Sequence, residues 1–217
     1  MWFAGPARRV PDAGRPATLR MGFTLARGMR VGLYGGSFNP AHEGHAHVAE
    51  TARRRLRLDR VIWLVSPQNP LKSSHETASL ESRLAGARRF ARGRAMVVSA
   101  AETKIGSTYT IDTLRVLKAR FPGVKFVWVM GADSLATFHR WRGWTDIMRL
   151  MPVAVIARPG SLLDSRTAPA AARFARYRIP AAQAGLLPNL EAPAWTYLTA
   201  PLNHRSSTAI RATRAAG

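Results

Sequence analysis

The sequence predicts an α/β fold: a Rossmann-like, doubly wound parallel sheet with helices on both faces. Three observations predict it. Short β-branched runs are apolar throughout rather than alternating, as in "RVIWLV" (60–65), "KFVWVM" (125–130) and "VAVIA" (153–157), which marks strands buried on both faces. Segments of helical period separate several of these runs. A glycine-rich segment, "GGSFNPAHEGH" (35–45), follows the first strand where a helix should begin, and open α/β sheets bind ligands beyond such strand ends.

The elements follow in order. "RVGLY" (30–34) reads as the first strand. Residues 44–56, "GHAHVAETARRRL", read as a helix with His45, Val48, Ala49, Ala52 and Leu56 near one face. Residues 60–65 form the second strand. A helix over 78–92 turns Leu80, Leu84, Ala87 and Phe90 or Ala91 inward, and "AMVVS" (95–99) is the third strand. "TIDTLRVLKAR" (110–120) is helical and ends at Pro122-Gly123. Residues 125–130 and 153–157 are the fourth and fifth strands, and "TYLTA" (196–200) a sixth. The Ala/Pro-rich stretch over 161–193 carries the weakest pattern.

Composition narrows the class. The 217 residues suffice for one domain with a full core, and 47% hydrophobic content excludes a disordered chain. Absence of cysteine excludes disulfides, thiol catalysis and cysteine metal sites, and is compatible with a reducing cytoplasm. No apolar run approaches the roughly 20 residues of a membrane span. Residues 1–28, rich in Arg, Pro, Gly and Ala, read as a disordered extension or an upstream start. Met29 then opens a domain over 29–217. The net charge of +21 comes from 33 Lys+Arg against 12 Asp+Glu. It suits a polyphosphate ligand. The basic residues are spread along the chain without an interleaved aromatic stripe, which argues against a nucleic-acid interface.

The glycine-rich segment carries the chemistry. Gly35 and Gly36 allow positive φ and close backbone approach. Pro40 stiffens the loop. The helix that follows offers unpaired N–H groups and the positive end of its dipole to an anion. His42 and His45, three apart, share one face of that helical turn. His47 falls on a different face and reads as structural. Zinc on His42 and His45 lacks a nearby third ligand. Near the C-terminus "HRSSTAIR" (204–211) places Ser207, Thr208 and Arg211 on one helical turn, which reads equally as a capped terminal helix.

"GGSFNPAHEGH" resembles the signature of the nucleotidylyltransferase superfamily, and "HRSSTAIR" resembles its second motif, which grips the triphosphate of ATP. "SPQNPLK" (66–72), "TYTIDTL" (108–114) and "GADSLATFHRWRGW" (131–144) together resemble bacterial nicotinate mononucleotide adenylyltransferases, from about Met29 to Arg211. The resemblance implies transfer of the adenylyl group of ATP to nicotinate mononucleotide, giving nicotinate adenine dinucleotide and pyrophosphate in NAD biosynthesis, with Mg²⁺ as cofactor. It implies that Gly35, Gly36, Ser37 and Phe38 shape the nucleotide loop and that His42 and His45 contact ATP phosphates. Lys72 would lie near the phosphates, Gly131 and Asp133 near the adenosine, and Ser207, Thr208 and Arg211 on the triphosphate. Thr110, Trp141 and the backbone N–H of Arg142 would hold the nicotinate. Tyr109 and Trp128 read as packing residues, and Asp133 alone reads equally as a helix cap.

Asn39 stands where many relatives carry Asp, which weakens a magnesium role there. Nicotinamide mononucleotide or another phosphate acceptor is the alternative substrate. An RNA- or polyphosphate-binding module on the same scaffold is the alternative of another class. A cytoplasmic location is expected, and a homo-oligomer stays open.

Overall fold

The computed structural model describes residues 21–67, 78–157 and 168–199. Among these, seven strands form one parallel sheet: β1 (Arg30–Gly36), β2 (Arg60–Val65), β3 (Met96–Ser99), β4 (Lys125–Gly131), β5 (Val153–Ala157), β6 (Arg178–Ile179) and β7 (Trp195–Thr199). Their order is β3-β2-β1-β4-β5-β7-β6, and every pairing is parallel. The helices are α1 (Glu43–Arg55), α2 (Leu80–Phe90), α3 (Ala101–Ile105), α4 (Thr110–Arg120), α5 (Ala132–Phe138), α6 (Trp144–Leu150) and α7 (Pro169–Arg173).

The apolar runs behave as their composition requires. Successive side chains of a strand point to opposite faces, so Val31, Leu33, Ile62, Leu64, Trp128 and Met130 enter one core layer with α4, α5 and α6. Tyr34, Val61, Trp63, Val65, Val127 and Val129 enter the other with α1 and α2. Both layers exclude water: Trp63 and Trp128 are fully buried, one on each face. Each such side chain contributes about 1.5–3 kcal/mol of apolar burial.

Several expectations are refined. The sixth expected strand is the seventh in the chain, because a two-residue β6 precedes it. The weakly patterned stretch holds, in its described part, α7, two 3-10 turns (Ala175–Tyr177 and Ala181–Asn189) and β6. Residues 21–28, which the sequence assigns to the extension, pack on the body. Met21 is buried, its carbonyl accepts from Ser99 Oγ at 2.9 Å, and Phe23 lies 5.7 Å from Phe121 between ring centroids. Among the described residues no helix is long and apolar enough to cross a membrane.

Candidate active site

From β1 the sheet grows through β2 to β3 in one direction, and from β4 through β5 in the other. The topological switch therefore falls between β1 and β4, and the crevice beyond their carboxyl ends is where such a sheet takes a ligand. Both strands end in glycine, Gly35–Gly36 on β1 and Gly131 on β4.

Those glycines are needed for packing. A Cβ on Gly35 would strike the ring of Trp128, and one on Gly36 would meet the ring of Phe38 at 3.0–3.3 Å. Neither glycine takes the positive φ expected from the sequence; Phe38 does, at 47°. That conformation costs a non-glycine residue roughly 1–2 kcal/mol. Burial offsets it. Phe38 is 1% exposed, with its ring centroid 5.1 Å from Trp63, 5.1 Å from His45 and 5.4 Å from Tyr34.

The loop then delivers two histidines to the start of α1. His42 is the N-cap, and its Nδ1 accepts from Gly44 N–H at 3.0 Å. His45 reaches back, and its Nδ1 accepts from His42 N–H at 3.2 Å. This is a capping box built from histidine instead of the usual hydroxyl and carboxylate. Its chemical consequence is the tautomer. An Nδ1 that accepts carries no proton, so each neutral ring holds its N–H on Nε2. The rings lie 3.9 Å apart between centroids. His42 is 2% exposed, and His45 is half-buried. The pair is thus a pre-oriented set of N–H donors, ill suited to ligating a cation.

No group of three or more His, Cys, Asp or Glu side chains suited to a metal occurs among the described residues.

A residue missed by the sequence reading fixes the loop from behind. Arg83 of α2 is 3% exposed. Its guanidinium donates to the carbonyls of Ser37 (2.9 Å), Ser66 (2.6 Å), Pro67 (2.6 Å) and Ala78 (2.9 Å). Asn39 adds a fifth tie, its Oδ1 accepting from Ala78 N–H at 3.2 Å. An uncharged amide suffices for that bond.

A second cluster gathers at the start of α4. Thr110 is its first residue and Tyr109 its N-cap position. The Arg142 guanidinium lies over the Tyr109 ring, 4.4 Å from the centroid, and Gly143 (φ 65°) sits against Ile111. The segment before α6 is thereby held on the start of α4, which brings Thr110, Trp141 and Arg142 into one neighbourhood. Trp141 is half-buried and packs edge-on against Phe138 (5.3 Å) and Trp128 (6.3 Å). Since Trp128 also fills the space at Gly35, one aromatic contact links the two clusters. Tyr109, expected as a packing residue, is instead 37% exposed beneath that guanidinium. Trp128 is packing, as expected.

Residues 33–213 match the family model of cytidylyltransferase-like proteins. A protein of Caulobacter sp. (strain K31) named "probable nicotinate-nucleotide adenylyltransferase" is 71% identical over 189 residues, covering 87% of this chain and all of that protein. One of the same name from Methylorubrum extorquens is 57% identical over 183 residues, covering 84% and 99%. The chain belongs to the nicotinate-nucleotide adenylyltransferase family.

Its fold agrees. The Plasmodium falciparum nicotinic acid mononucleotide adenylyltransferase complexed with NaAD superposes with a TM-score of 0.60 at 15% identity, covering 85% of this chain and 83% of that one. Within the family frame, Gly35, Gly36, Ser37, Phe38, His42 and His45 form one continuous wall at the end of β1. Gly131 and Asp133 lie at the end of β4, with Asp133 exposed in the first turn of α5. Asp133 is not the N-cap of that helix; Gly131 holds that position, and an Asp133 carboxylate oxygen occupies the space beside it. Lys72, Ser207, Thr208 and Arg211 lie outside the described residues.

Proposed function

We propose that the chain transfers the adenylyl group of ATP to nicotinate mononucleotide, releasing pyrophosphate and nicotinate adenine dinucleotide. The observation that carries this reading is the reciprocal histidine cap at the switch point, in which both Nδ1 atoms accept and so place the proton of each neutral ring on Nε2 at the entrance of α1. An acceptor phosphate is already a nucleophile. Its oxygen attacks the α-phosphorus of ATP, the bond from that phosphorus to the bridging oxygen breaks, and pyrophosphate leaves with the electron pair. No side-chain nucleophile is needed. Alignment and stabilisation of developing negative charge supply the catalysis.

His45, half-buried, presents its Nε2–H to the phosphates, and His42 orients it and adds a second donor. Gly131 and Asp133 border the adenosine. Lys72, Ser207, Thr208 and Arg211 hold the outer phosphates. Magnesium would be held through the ATP phosphates that His45, Lys72 and Arg211 face, and would supply further neutralisation of their charge.

The acceptor choice rests on the second cluster. The start of α4 offers helix N–H groups and the Thr110 hydroxyl to a carboxylate, and Trp141 offers an aromatic face beside them. The decisive assay supplies ATP and Mg²⁺ with nicotinate mononucleotide, nicotinamide mononucleotide or phosphopantetheine and measures pyrophosphate. Release is expected with the first in preference to the others. Absence of release with the first overturns the reading. Trp141→Ala is expected to raise the KM for nicotinate mononucleotide by about 10-fold or more, the scale of a lost base-stacking contact, with a smaller change for ATP. An unchanged KM returns Trp141 to a packing role.

A further inference from the structure

Arg83 presents a physical problem that core packing does not solve. Removing a guanidinium from water is costly, and burial pulls its pKa down from the ordinary value. Among the described residues no carboxylate pairs with it. Its partners are four main-chain carbonyls from three separate segments: Ser37 in the loop after β1, Ser66 and Pro67 in the loop after β2, and Ala78 ahead of α2. The planar fork of an arginine can serve such a dispersed set, and no other side chain carries enough donors. Dipoles compensate its hydrogen bonds without cancelling its charge.

That placement is specific. Ser37 lies between Gly36 and Phe38, five residues before the His42 cap. Ser66 ties the same wall a second time, its N–H and Oγ both donating to the Gly36 carbonyl at 3.1 and 3.3 Å. One buried cation thus holds together the two loops that leave the carboxyl ends of β1 and β2.

We infer that Arg83 is a positioning residue for the triphosphate of the nucleotide: it fixes the backbone after β1 in the shape that receives the phosphates. The inference rests on the reading of this wall as the ATP site. It does not depend on which acceptor is used.

The test compares wild type with Arg83→Lys and Arg83→Met, after circular dichroism has verified folding. The dissociation constant of ATP is measured by calorimetry without acceptor, and KM values are measured for both substrates. Met removes the charge and all donors, and ATP binding is expected to weaken by about 10-fold or more, the scale of a charged hydrogen bond. Lys keeps the charge but lacks the fork, and is expected to fall between the two. The KM for nicotinate mononucleotide should stay within about 2-fold.

Equal weakening of both substrates, or ATP binding unchanged in the folded Lys variant, overturns the inference. If Arg83→Met fails to fold, Arg83→Lys alone decides by its ratio of KM changes and its ATP dissociation constant. Wild type that binds ATP yet releases no pyrophosphate with nicotinate mononucleotide sinks the proposed reaction while leaving the Arg83 measurement readable.

Discussion

Glu102 is a carboxyl placed where water cannot solvate it. It sits in α3 at 4% exposure, its Oε2 has no hydrogen-bond partner among the described residues, and burial raises its pKa from 4.5 to about 7. The folded chain therefore holds this proton more tightly than the unfolded chain does. Stability from this site is greatest below about pH 4.5, where both states are protonated. It falls as pH rises toward about 7 and is lowest above that. Glu102→Gln removes the dependence and should stabilise the protein at pH 8 by up to about 3 kcal/mol, since each tenfold difference in proton affinity between the two states is worth roughly 1.4 kcal/mol. Urea unfolding of both proteins at pH 5 and pH 8 measures it, and an equal difference at the two values refutes the assignment. Neither Glu102 nor Arg83 was legible in the sequence. A single charged residue in a helical stretch reads as a solvent-facing position. Burial of such groups comes from the approach of distant segments, as the Ser66 carbonyl approaches Arg83 of α2.

At the scale of elements, α1 does two tasks with one pair of side chains. The same Nδ1 atoms that satisfy helix N–H groups set which nitrogen is left to act. The two histidines should then differ on substitution. His42→Ala loses the cap to Gly44 and the seat of the His45 ring, so stability should fall by about 1 kcal/mol together with kcat. His45→Ala keeps the His42–Gly44 bond, so stability should change less. Its kcat should still fall by roughly 100-fold, as for a lost transition-state donor. Thermal unfolding and steady-state kinetics of both variants separate the effects; near-wild-type kcat in a folded His45→Ala would remove that residue from the chemistry. Elements of ten residues or more were readable, and α4 and β2 have their expected bounds. The short α3, α6 and α7 were not, because five to seven residues do not complete a helical repeat long enough to register as a period, and α5 was marked only by Asp133 as a possible cap. Gly35 was read as a site of positive φ and close backbone approach for the same kind of reason. What excludes a Cβ there is Trp128, 93 positions along the chain, and no local pattern contains it.

For the whole molecule, the parallel sheet followed from its apolar runs, but the strand order did not. β1, β2, β4 and β5 are all largely buried strands of apolar runs, so nothing local says that the switch lies between β1 and β4. Charge is the other global property, and here the sequence alone suffices for a prediction. With 33 Lys+Arg against 12 Asp+Glu, like charges outnumber the opposite partners that could neutralise them. The pairs that form among described residues, such as Arg30–Asp59 and Arg115–Asp146, are solvent-accessible and each is worth little. Net self-repulsion therefore works against the compact state. Raising sodium chloride from about 0.1 M to about 1 M shortens the screening length from roughly 10 Å to roughly 3 Å. That weakens the long-range repulsion more than it weakens pairs in direct contact. Tm should rise, at about 2–4 °C for each kcal/mol of relief in a chain of this size. Chloride is the appropriate anion, since sulfate would also occupy a phosphate site and stabilise by binding. A Tm that falls across this range would mean that local ion pairs, rather than the excess of arginine, dominate the electrostatics of the fold.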